Sequence, residues 1–334
     1  MSGTSLPCVA VLLGDPAGVG PEMGVKLLAR IAGTVQAKLL LVAPRSVLAS
    51  GERIAGTRLD VLPVTTPSAL HFAPGSITHL VLAEPAGAPA PLGACSEAAG
   101  RAALESLAAA TALARDGLVQ AIVFAPLNKH ALRLAGMQEE DELRYLQTLF
   151  GISGFTCEFN ITGSLWTSRV TSHVPLREVA ALITQEAVRD AVYIIDATLR
   201  RSGIARPRIA VSGLNPHAGD GGSIGHEEIE VIAPAVERLK GEGLDASGPW
   251  SPDTVFIAAR RGDFDGVVSM YHDQGQIAMK LMGFERGVTL HGGLPVPVAT
   301  SASGSAFDIA GKGIAGIEGL QHALELAVRM AARR

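Results

Sequence analysis

Short apolar runs alternate with helical segments along this chain, and this alternation restricts the folds that it can adopt. The runs that we interpret as strands are Cys8–Leu13, Lys38–Val42, Ala121–Ala125, Arg208–Leu214 and Gly266–Met270. The helical segments are Glu22–Arg30, Cys95–Asp116, Leu176–Leu182, Gln185–Ser202, Glu227–Gly241 and Glu318–Arg333. Alternation of this kind indicates βαβ units and a mostly parallel sheet with helices on both faces. We therefore predict an α/β fold.

Length and charge narrow the class of protein. A chain of 334 residues fits two domains, or one large α/β unit, at roughly 150 residues per domain. The formal net charge of −4 at pH 7 leaves no basic excess, so we expect neither nucleic acid nor an anionic membrane as a partner.

Cysteine usage and hydropathy indicate the compartment. The three cysteines, Cys8, Cys95 and Cys157, are scattered and form no CxxC pair, which argues against a disulfide framework and a zinc–thiolate site. No apolar stretch of about 18 residues occurs, and the first residues contain no basic n-region. We therefore expect a soluble, cytoplasmic protein.

The predicted strands end in polar turns that lead into helices. These turns are Gly14–Glu22, Ala125–Leu132, Leu214–Glu228 and Tyr271–Gln276, and three of the four contain glycine. In open α/β sheets, ligands bind outside the carboxyl ends of the strands. We expect the four turns to contribute to one composite site.

Three histidines lie in similar contexts, each after a strand-like run and before the start of a helix: His173, His217 and His272. Imidazole nitrogens from separate loops form divalent-metal sites with positions left open for substrate. Alternatively, each histidine only caps a helix or bonds a backbone group. Asp273 follows one of them and Asp253 lies in the same stretch of chain, so we favour the metal site.

Two glycine-rich segments carry signals of different strength. In "HAGDGGSIGHEE", backbone amides could converge on an anion, but the segment equally fits an ordinary turn and matches neither a Walker loop nor GxGxxG. The segment "SGSAFDIAGKGIAG", Ser303–Gly316, could enclose an adenosine, with Asp308 accepting a hydrogen bond from a ribose hydroxyl. The alternative reading of this segment is a plain connector.

Several stretches together resemble the family of 4-hydroxythreonine-4-phosphate dehydrogenase and its relatives that oxidise 4-phospho-threonate or 4-phospho-erythronate. The matching stretches are GDPAGVGPE, PLNK, TSHVPLREV, GLNPHAGDGGSIGHEE, GPWSPDTVF, YHDQG with Lys280, GLPVP and GSAFDIAGKG, which run from Gly14 to Gly313. The resemblance implies an isocitrate/isopropylmalate-dehydrogenase-like fold of two α/β/α domains with a cleft between them. We place residues 1–128 and 296–334 in one domain and residues 129–295 in the other. A homodimer with a shared active site is also implied.

The resemblance also implies roles for particular residues. The metal ligands are His173, His217 and His272, drawn from both subunits, and the metal is zinc, cobalt, nickel, manganese or magnesium. The loop that binds NAD or NADP contains Gly304, Ser305, Asp308 and Gly311, and an acid near a ribose favours NAD.

The catalytic residues that the resemblance implies are Asp253, Asp273 and Lys280, with Lys280 also holding the substrate anion. The implied reaction oxidises the 3-hydroxyl of a 4-phosphorylated four-carbon acid and then releases carbon dioxide.

This chain departs from the family in the substrate pocket. Asp141 and Glu142 stand near an expected His-Thr pair, Thr289 replaces an asparagine, and Val298 replaces an arginine that helps to hold the phosphate. Loss of such a bidentate contact costs roughly 2 to 4 kcal/mol if nothing replaces it. The replacing donors could be Arg144, Arg286 or the amides of Gly219–Gly222.

Two other functions therefore stay open at this point. The enzyme could oxidise an unphosphorylated acid or a cis-dihydrodiol dicarboxylate, because relatives that act on such diols also lack the phosphate-binding residues. A non-catalytic metabolite-binding protein on the same fold is the alternative from another class, and loss of any of the three histidines would have supported it. All three histidines are present.

Overall fold

The computed structural model describes residues 6–85, 90–283 and 286–333. The chain forms two compact units. The first comprises Met1–Ser153 together with Leu294–Ala332, and the second comprises Gly154–Gly293. The second unit is therefore one continuous segment, whereas the first consists of an N-terminal and a C-terminal segment of the chain.

The strands and helices alternate as the sequence indicates. The strands are β1 (Cys8–Leu12), β2 (Lys38–Pro44), β3 (Val61–Val64), β4 (Ile77–Leu82), β5 (Ala121–Phe124), β6 (Cys157–Thr162), β7 (Leu165–Arg169), β8 (Ile209–Ser212), β9 (Ala246–Trp250), β10 (Gly266–Ser269), β11 (Val288–Gly292) and β12 (Val298–Ser301). The helices are α1 (Gly20–Ile31), α2 (Arg45–Ala55), α3 (Glu97–Arg115), α4 (Lys129–Leu134), α5 (Glu142–Phe150), α6 (Leu176–Leu182), α7 (Gln185–Ser202), α8 (Ala233–Gly241), α9 (Val255–Arg260), α10 (His272–Gly283) and α11 (Glu318–Ala331).

The first unit contains a parallel sheet in the order β3-β4-β2-β1-β5-β12. Its central strands are continuous apolar runs: every residue of β1 and of β5 is buried. Such runs form strands because helices cover both faces of a parallel sheet, which leaves no solvated face for polar side chains. The chain changes direction across the sheet at β1, with β2 on one side and β5 on the other. A ligand crevice is expected at the carboxyl ends of strands that meet at such a point.

The second unit contains a mixed sheet in the order β11-β6-β7-β10-β8-β9. Strand β6 runs antiparallel to both β11 and β7, and the other neighbouring pairs are parallel. The connection between β6 and β7 is the tight turn Gly163–Ser164, in which Gly163 has φ +61°. Positive φ at this position suits a two-residue hairpin, because the turn then follows the twist of the strands.

The predicted helix over Glu227–Gly241 differs from the structure at its start. Residues Glu228–Ile232 form a wide π-type turn, and the regular helix α8 begins only at Ala233. Pro234, in the first turn of α8, has no N–H to donate to a preceding carbonyl group, so an α-helix cannot run through it undisturbed.

The boundary between the units also differs from the sequence-based division. Residues 129–153 were assigned to the central domain, but they belong to the first unit. The reason is packing, because Leu143 and Leu146 of α5 are buried in the same apolar cluster as Leu12 and Ile122 of its sheet.

Within the described part of the chain, no helix is long and apolar enough to cross a membrane.

Candidate active site

In the first unit, the turns after β1 and β5 lie against each other. The backbone N–H of Asp15 donates to the carbonyl oxygen of Pro126 at 2.9 Å. Gly14 has φ +69°, and a Cβ atom there would lie 2.4 Å from the carbonyl oxygen of Ala125, so only glycine fits. The carboxyl group of Asp15 is buried and accepts the N–H of Ala17 at 2.8 Å. Burial raises the pKa of Asp15 above its usual value.

The predicted cofactor loop follows β12 and packs on the start of α1. The carbonyl oxygen of Ser305 accepts the N–H of Val19 at 3.0 Å. Among the described residues other than its two chain neighbours, Gly304 has no atom within 4 Å of the position where a Cβ would stand. Asp308 is exposed, and Gly311 has φ +81°. The four residues predicted to bind the cofactor therefore lie in one loop, with Gly304 facing open space.

An ion pair between a buried glutamate and a partly exposed lysine anchors the end of this loop. Glu22 Oε1 accepts the N–H of Ala315 at 2.7 Å and contacts Lys26 Nζ at 2.6 Å. Lys26 also donates to the carbonyl oxygens of Gly313 and Ala315 at 2.8 and 3.1 Å. Lys26 is not among the predicted site residues, although its spacing from Glu22 is the usual one for an ion pair on a helix.

In the second unit, the structure brings two of the three predicted metal ligands together. The ring centroids of His173, which follows β7, and His272, the first residue of α10, are 5.6 Å apart with a 41° tilt. His272 Nδ1 lies 2.7 Å from Asp273 Oδ1. This contact orients the ring and leaves Nε2 for a ligand, which is the usual arrangement of a metal-binding histidine and its carboxylate.

His217 lies in a turn of unusual handedness after β8. Five successive residues from His217 to Gly221 have positive φ, and three of them are not glycine: His217 (φ 53°), Ala218 (φ 52°) and Asp220 (φ 46°). The left-handed conformation costs roughly 1–2 kcal/mol for each non-glycine residue. Backbone strain of this kind is often found at functional sites, where the surroundings enforce it.

The buried carboxylate of Glu228 holds this turn in place. Its Oε1 accepts the N–H groups of Leu214 and Asn215, both at 2.7 Å, and its Oε2 accepts Asn215 Nδ2 at 2.9 Å. A Cβ atom at Gly219 would lie 2.8 Å from Glu228 Oε2, so the turn also needs glycine there.

Hydrogen bonds join the three histidine-bearing segments of the second unit. Thr171, two residues before His173, donates both its N–H and its Oγ to the carbonyl oxygen of Met270, at 3.1 and 2.8 Å. Gln274 accepts the N–H of Met270 at 2.6 Å and donates to the carbonyl oxygen of Gly213 at 2.9 Å. The described side chains nevertheless do not bring the ligand nitrogens of all three histidines within 4.8 Å of one another.

The predicted catalytic residues also lie in the second unit. Asp253 is exposed and accepts a hydrogen bond from Ser251 Oγ at 2.6 Å. That hydrogen bond lowers the pKa of Asp253, and the charge of His217 is among the further influences that lower it. Lys280 is exposed on α10, downstream of His272, and Asp273 contacts His272 as described above.

The predicted substrate-binding residues are divided between the units. In the first unit, Asp141 caps α5 by accepting the N–H of Arg144 at 2.9 Å, and Glu142 Oε2 lies 4.0 Å from Lys129 Nζ. In the second unit, Thr289 is half-buried in β11, where it pairs with Asn160.

The prediction for Val298 needs correction. Its side chain is 0% exposed and belongs to the apolar core of the first unit. A side chain enclosed by that core cannot touch a substrate. Val298 therefore marks only the absence of an arginine at this position and is not itself a binding residue.

The fold of this chain is similar to that of a known class of dehydrogenases. It is similar to a crystal structure of a beta-decarboxylating dehydrogenase from Thermococcus kodakarensis, with a TM-score of 0.50, 15% sequence identity and coverage of 95% of this chain and 81% of that one. At this identity the likeness shows the fold alone, and it confirms the predicted α/β class. The chain belongs to the family described as pyridoxal phosphate biosynthetic protein PdxA, which matches residues 35–327. It is therefore a dehydrogenase of that family.

Relatives in this family carry two different names. This chain is 49% identical, over 99% of its length and 98% of the relative, to "Putative 4-hydroxythreonine-4-phosphate dehydrogenase 2" of Pseudomonas aeruginosa. It is 40% identical, over 98% of both proteins, to D-threonate 4-phosphate dehydrogenase of Cupriavidus necator. A crystal structure of 4-hydroxythreonine-4-phosphate dehydrogenase from Klebsiella pneumoniae has a TM-score of 0.84, 36% identity and full coverage of both chains.

A solved structure with a different substrate in its name is less similar. It is a terephthalate 1,2-cis-dihydrodiol dehydrogenase from Burkholderia xenovorans, with a TM-score of 0.69, 30% identity and coverage of 97% of this chain and 98% of that one.

Proposed function

We propose that this chain oxidises the 3-hydroxyl of a 4-phosphorylated four-carbon hydroxy acid, of the 4-hydroxythreonine 4-phosphate or D-threonate 4-phosphate type, and that the product loses carbon dioxide. The hydride acceptor is NAD or NADP, and a divalent metal is required. The observation that carries the proposal is the pair of imidazoles His173 and His272, whose rings are 5.6 Å apart beside the carboxylate of Asp273. The names of the relatives at 49% and 40% identity support the choice of substrate.

The donor set fits a divalent metal. His173, His217 and His272 would hold it, the three ligands being drawn from two copies of the chain. Imidazole ligands suit zinc, cobalt or nickel better than magnesium. Manganese is kept as a candidate ion. When bound, such an ion supplies Lewis-acid polarisation of the substrate oxygens.

The two carboxylates take different roles in this proposal. Asp273 is engaged with the ring of His272, so it acts by orienting that ligand. Asp253 is exposed, and the hydrogen bond from Ser251 lowers its pKa below the ordinary value of a carboxyl group, so it is a carboxylate at neutral pH, as an ordinary aspartate is. It accepts the hydroxyl proton of the substrate, through a water molecule if the distance requires one.

Lys280 binds the anionic end of the substrate and protonates the enolate carbon after decarboxylation. An ammonium group on a flexible stem is suited to both tasks, because it is a compact charge and a proton donor. Arg286, which is also exposed in this unit, is a candidate for the missing phosphate contact.

The cofactor binds along the loop that contains Gly304, Ser305, Asp308 and Gly311. The exposed carboxylate of Asp308 accepts from the ribose hydroxyls, and a 2′-phosphate there would repel it, so we propose NAD rather than NADP. The ion pair of Glu22 and Lys26 keeps the far end of the loop in place.

A second candidate substrate has support of its own. The position of the family's phosphate-binding arginine is occupied by Val298, whose side chain is part of the core. The likeness to a terephthalate cis-dihydrodiol dehydrogenase, at 30% identity, favours an unphosphorylated diol or acid as the alternative. A non-catalytic metabolite-binding role is the alternative from another class.

The test is reduced cofactor formation by metal-loaded protein with a panel of substrates. The panel contains 4-hydroxythreonine 4-phosphate, D-threonate 4-phosphate, D-erythronate 4-phosphate, the unphosphorylated acids and a cis-dihydrodiol dicarboxylate. We expect kcat/KM for a phosphorylated acid to exceed that for its unphosphorylated form by at least about 30-fold, the equivalent of roughly 2 kcal/mol of anion binding. Turnover of the unphosphorylated compounds alone would favour the second candidate. Binding without turnover of any compound would contradict an enzymatic role.

A histidine variant tests the metal site within the same assay. His272→Ala should lower kcat at least about 100-fold and reduce the metal content, because a ligand of the ion is lost. His226→Ala is the matched control, since His226 is an exposed histidine of the same unit that is not in the proposed ligand set. Full activity of the His272→Ala protein would contradict the proposal.

A further inference from the structure

A buried arginine lies between the segments that carry His173 and His272. Arg169 is the last residue of β7 and is 5% exposed. Its Nη2 donates to Glu158 Oε2 at 2.8 Å, and its Nη1 donates to Asn160 Oδ1 at 2.9 Å. Its Nε donates to Ser172 Oγ at 3.0 Å. Each of its three nitrogens therefore has an acceptor, and Ser172 directly precedes His173.

The same network reaches the other histidine. Asn160 Oδ1, which accepts from Arg169, also accepts Gln276 Nε2 at 2.6 Å. Gln276 is on α10, about one helical turn beyond His272. Arg169 and Asn160 thus connect β6, the segment after β7 and the first turns of α10.

The chemistry of this network indicates a structural task and not substrate binding. A buried guanidinium is tolerated only when carboxylates or other acceptors surround it, because its desolvation is costly. Here Glu158 neutralises the charge, and the fork of donors is directed at groups of the protein. A planar fork with fixed directions holds three acceptors at defined separations, which a lysine cannot do.

We propose that Arg169 is a positioning residue that sets the separation of the His173 and His272 imidazoles and thereby the affinity for a divalent metal. Ser172 transmits its position to His173, and Asn160 with Gln276 transmits it to α10. The inference rests on the proposed function only in requiring that these histidines bind a metal ion.

The test compares two conservative variants of the full-length protein. Arg169→Lys keeps a positive charge beside Glu158 but cannot bond Asn160 and Ser172 at the same time. Arg208→Lys is the matched control: Arg208 forks onto Asp265 at 3.0 and 3.1 Å in the same unit, but it is exposed and has no contact with the network. The affinity of metal-free protein for Co²⁺ is measured by titration, and the visible spectrum of the bound ion reports its ligand geometry.

We expect Arg169→Lys to bind Co²⁺ about 10- to 100-fold more weakly, as is usual when a group that orients a ligand is lost. Its cobalt spectrum should change, whereas Arg208→Lys should keep both the wild-type affinity and spectrum. Wild-type affinity in Arg169→Lys would overturn the inference. If Arg169→Lys does not fold, Ser172→Ala decides, since it removes only the bond beside His173, and unchanged affinity and spectrum there would overturn the inference.

The proposed metal site can fail separately. In that case the wild-type protein would bind Co²⁺ with an affinity that His272→Ala does not alter. The inference about Arg169 would then be wrong as well. If instead His272→Ala binds Co²⁺ more weakly than the wild type and Arg169→Lys binds it with wild-type affinity, only the positioning role of Arg169 is overturned.

Discussion

At the scale of single residues, the buried carboxyl group of Asp15 is the least expected feature of the first unit. One oxygen accepts the N–H of Ala17, but Oδ2 is buried and has no hydrogen-bond partner among the residues that the structure describes. An ionised carboxylate in that environment loses its hydration and gains only the hydrogen bond from Ala17 in return, so burial outweighs that bond and raises the pKa. The motif around it was visible in the sequence, whereas its burial follows from the contact with the β5 turn.

A raised pKa makes the stability of the protein depend on pH in a definite direction. Above the pKa of the unfolded chain, near 3.8, and below that of the folded protein, only the folded protein keeps the proton on Asp15. The contribution of this group to the free energy of unfolding is therefore fully present below pH 3.8 and is lost as the pH rises through the folded pKa.

We predict that Asp15→Asn becomes more stable relative to the wild type as the pH rises. The asparagine cannot ionise, so it avoids a penalty of about 1.4 kcal/mol for each unit by which the pKa of Asp15 is raised. The free energy of unfolding in urea, measured for both proteins at pH 4 and pH 7, checks this. Asp60→Asn, at an exposed position of the same unit, should stay within about 0.5 kcal/mol of the wild type at both values. A stability difference that is equal at the two pH values for Asp15→Asn would show that folding does not raise the pKa of Asp15.

At the scale of elements, the left-handed turn after β8 depends on one buried side chain. Glu228 lies at the start of the π-type turn that precedes α8, and it accepts the backbone N–H groups of Leu214 and Asn215, which lie three and two residues before His217. The strain of the turn is tolerated because these bonds are strong, with a charged acceptor and distances of 2.7 Å.

Glu228→Ala should lower the free energy of unfolding by about 2–4 kcal/mol, because it leaves the N–H groups of Leu214 and Asn215 without their acceptor. Glu230→Ala is the control, since that side chain is 70% exposed and pairs only loosely with His226 at 4.0 Å. The control should change stability by less than about 0.5 kcal/mol. Thermal and urea unfolding of the three proteins provide the comparison, and equal effects of the two substitutions would contradict the anchoring role of Glu228.

Elements with local signals were predictable from the sequence. The bounds of α7 follow from Thr184, whose side chain caps its first turn by accepting the N–H of Ala187, and from Gly203, which ends it with φ 118°. Strand β6 was missed, although its alternating burial matches the period of a half-buried strand, because it is short and polar at every second position. The antiparallel pairing of β6 depends on neighbours that are distant in sequence.

At the scale of the whole molecule, the candidate site also depends on contacts between residues that are distant in sequence, and the sequence alone does not predict such contacts. The three histidines were found from their places after strand-like runs, but the residues that join their loops carry no local signal. Thr171 reaches a carbonyl group 99 residues away, and Gln274 reaches one 61 residues away. Such contacts appear only when strands β7, β10 and β8 lie side by side, so Arg169 also looked like an ordinary strand residue.

The proposed homodimer concerns the whole molecule too. Ile277 and Leu281 of α10 are 59% and 84% exposed, one helical turn apart, on the helix that begins with His272 and carries Lys280. Adjacent large apolar side chains with this exposure are typical of a surface that a partner covers. A second copy is the occupant that the proposed function requires, because the ligand nitrogens of the three histidines are not assembled within one chain.

Leu281→Arg should therefore yield monomers and lower both metal affinity and turnover, because a charge on this face opposes its burial against a second copy. Sedimentation equilibrium measures the mass, and the cobalt titration measures the affinity. Leu118→Arg is the control, since Leu118 is 41% exposed in the first unit and should leave mass, affinity and turnover unchanged. A Leu281→Arg protein that stays dimeric would exclude this face of α10 from the interface. A monomeric variant that binds Co²⁺ as tightly as the wild type would instead show that one chain holds the whole metal site.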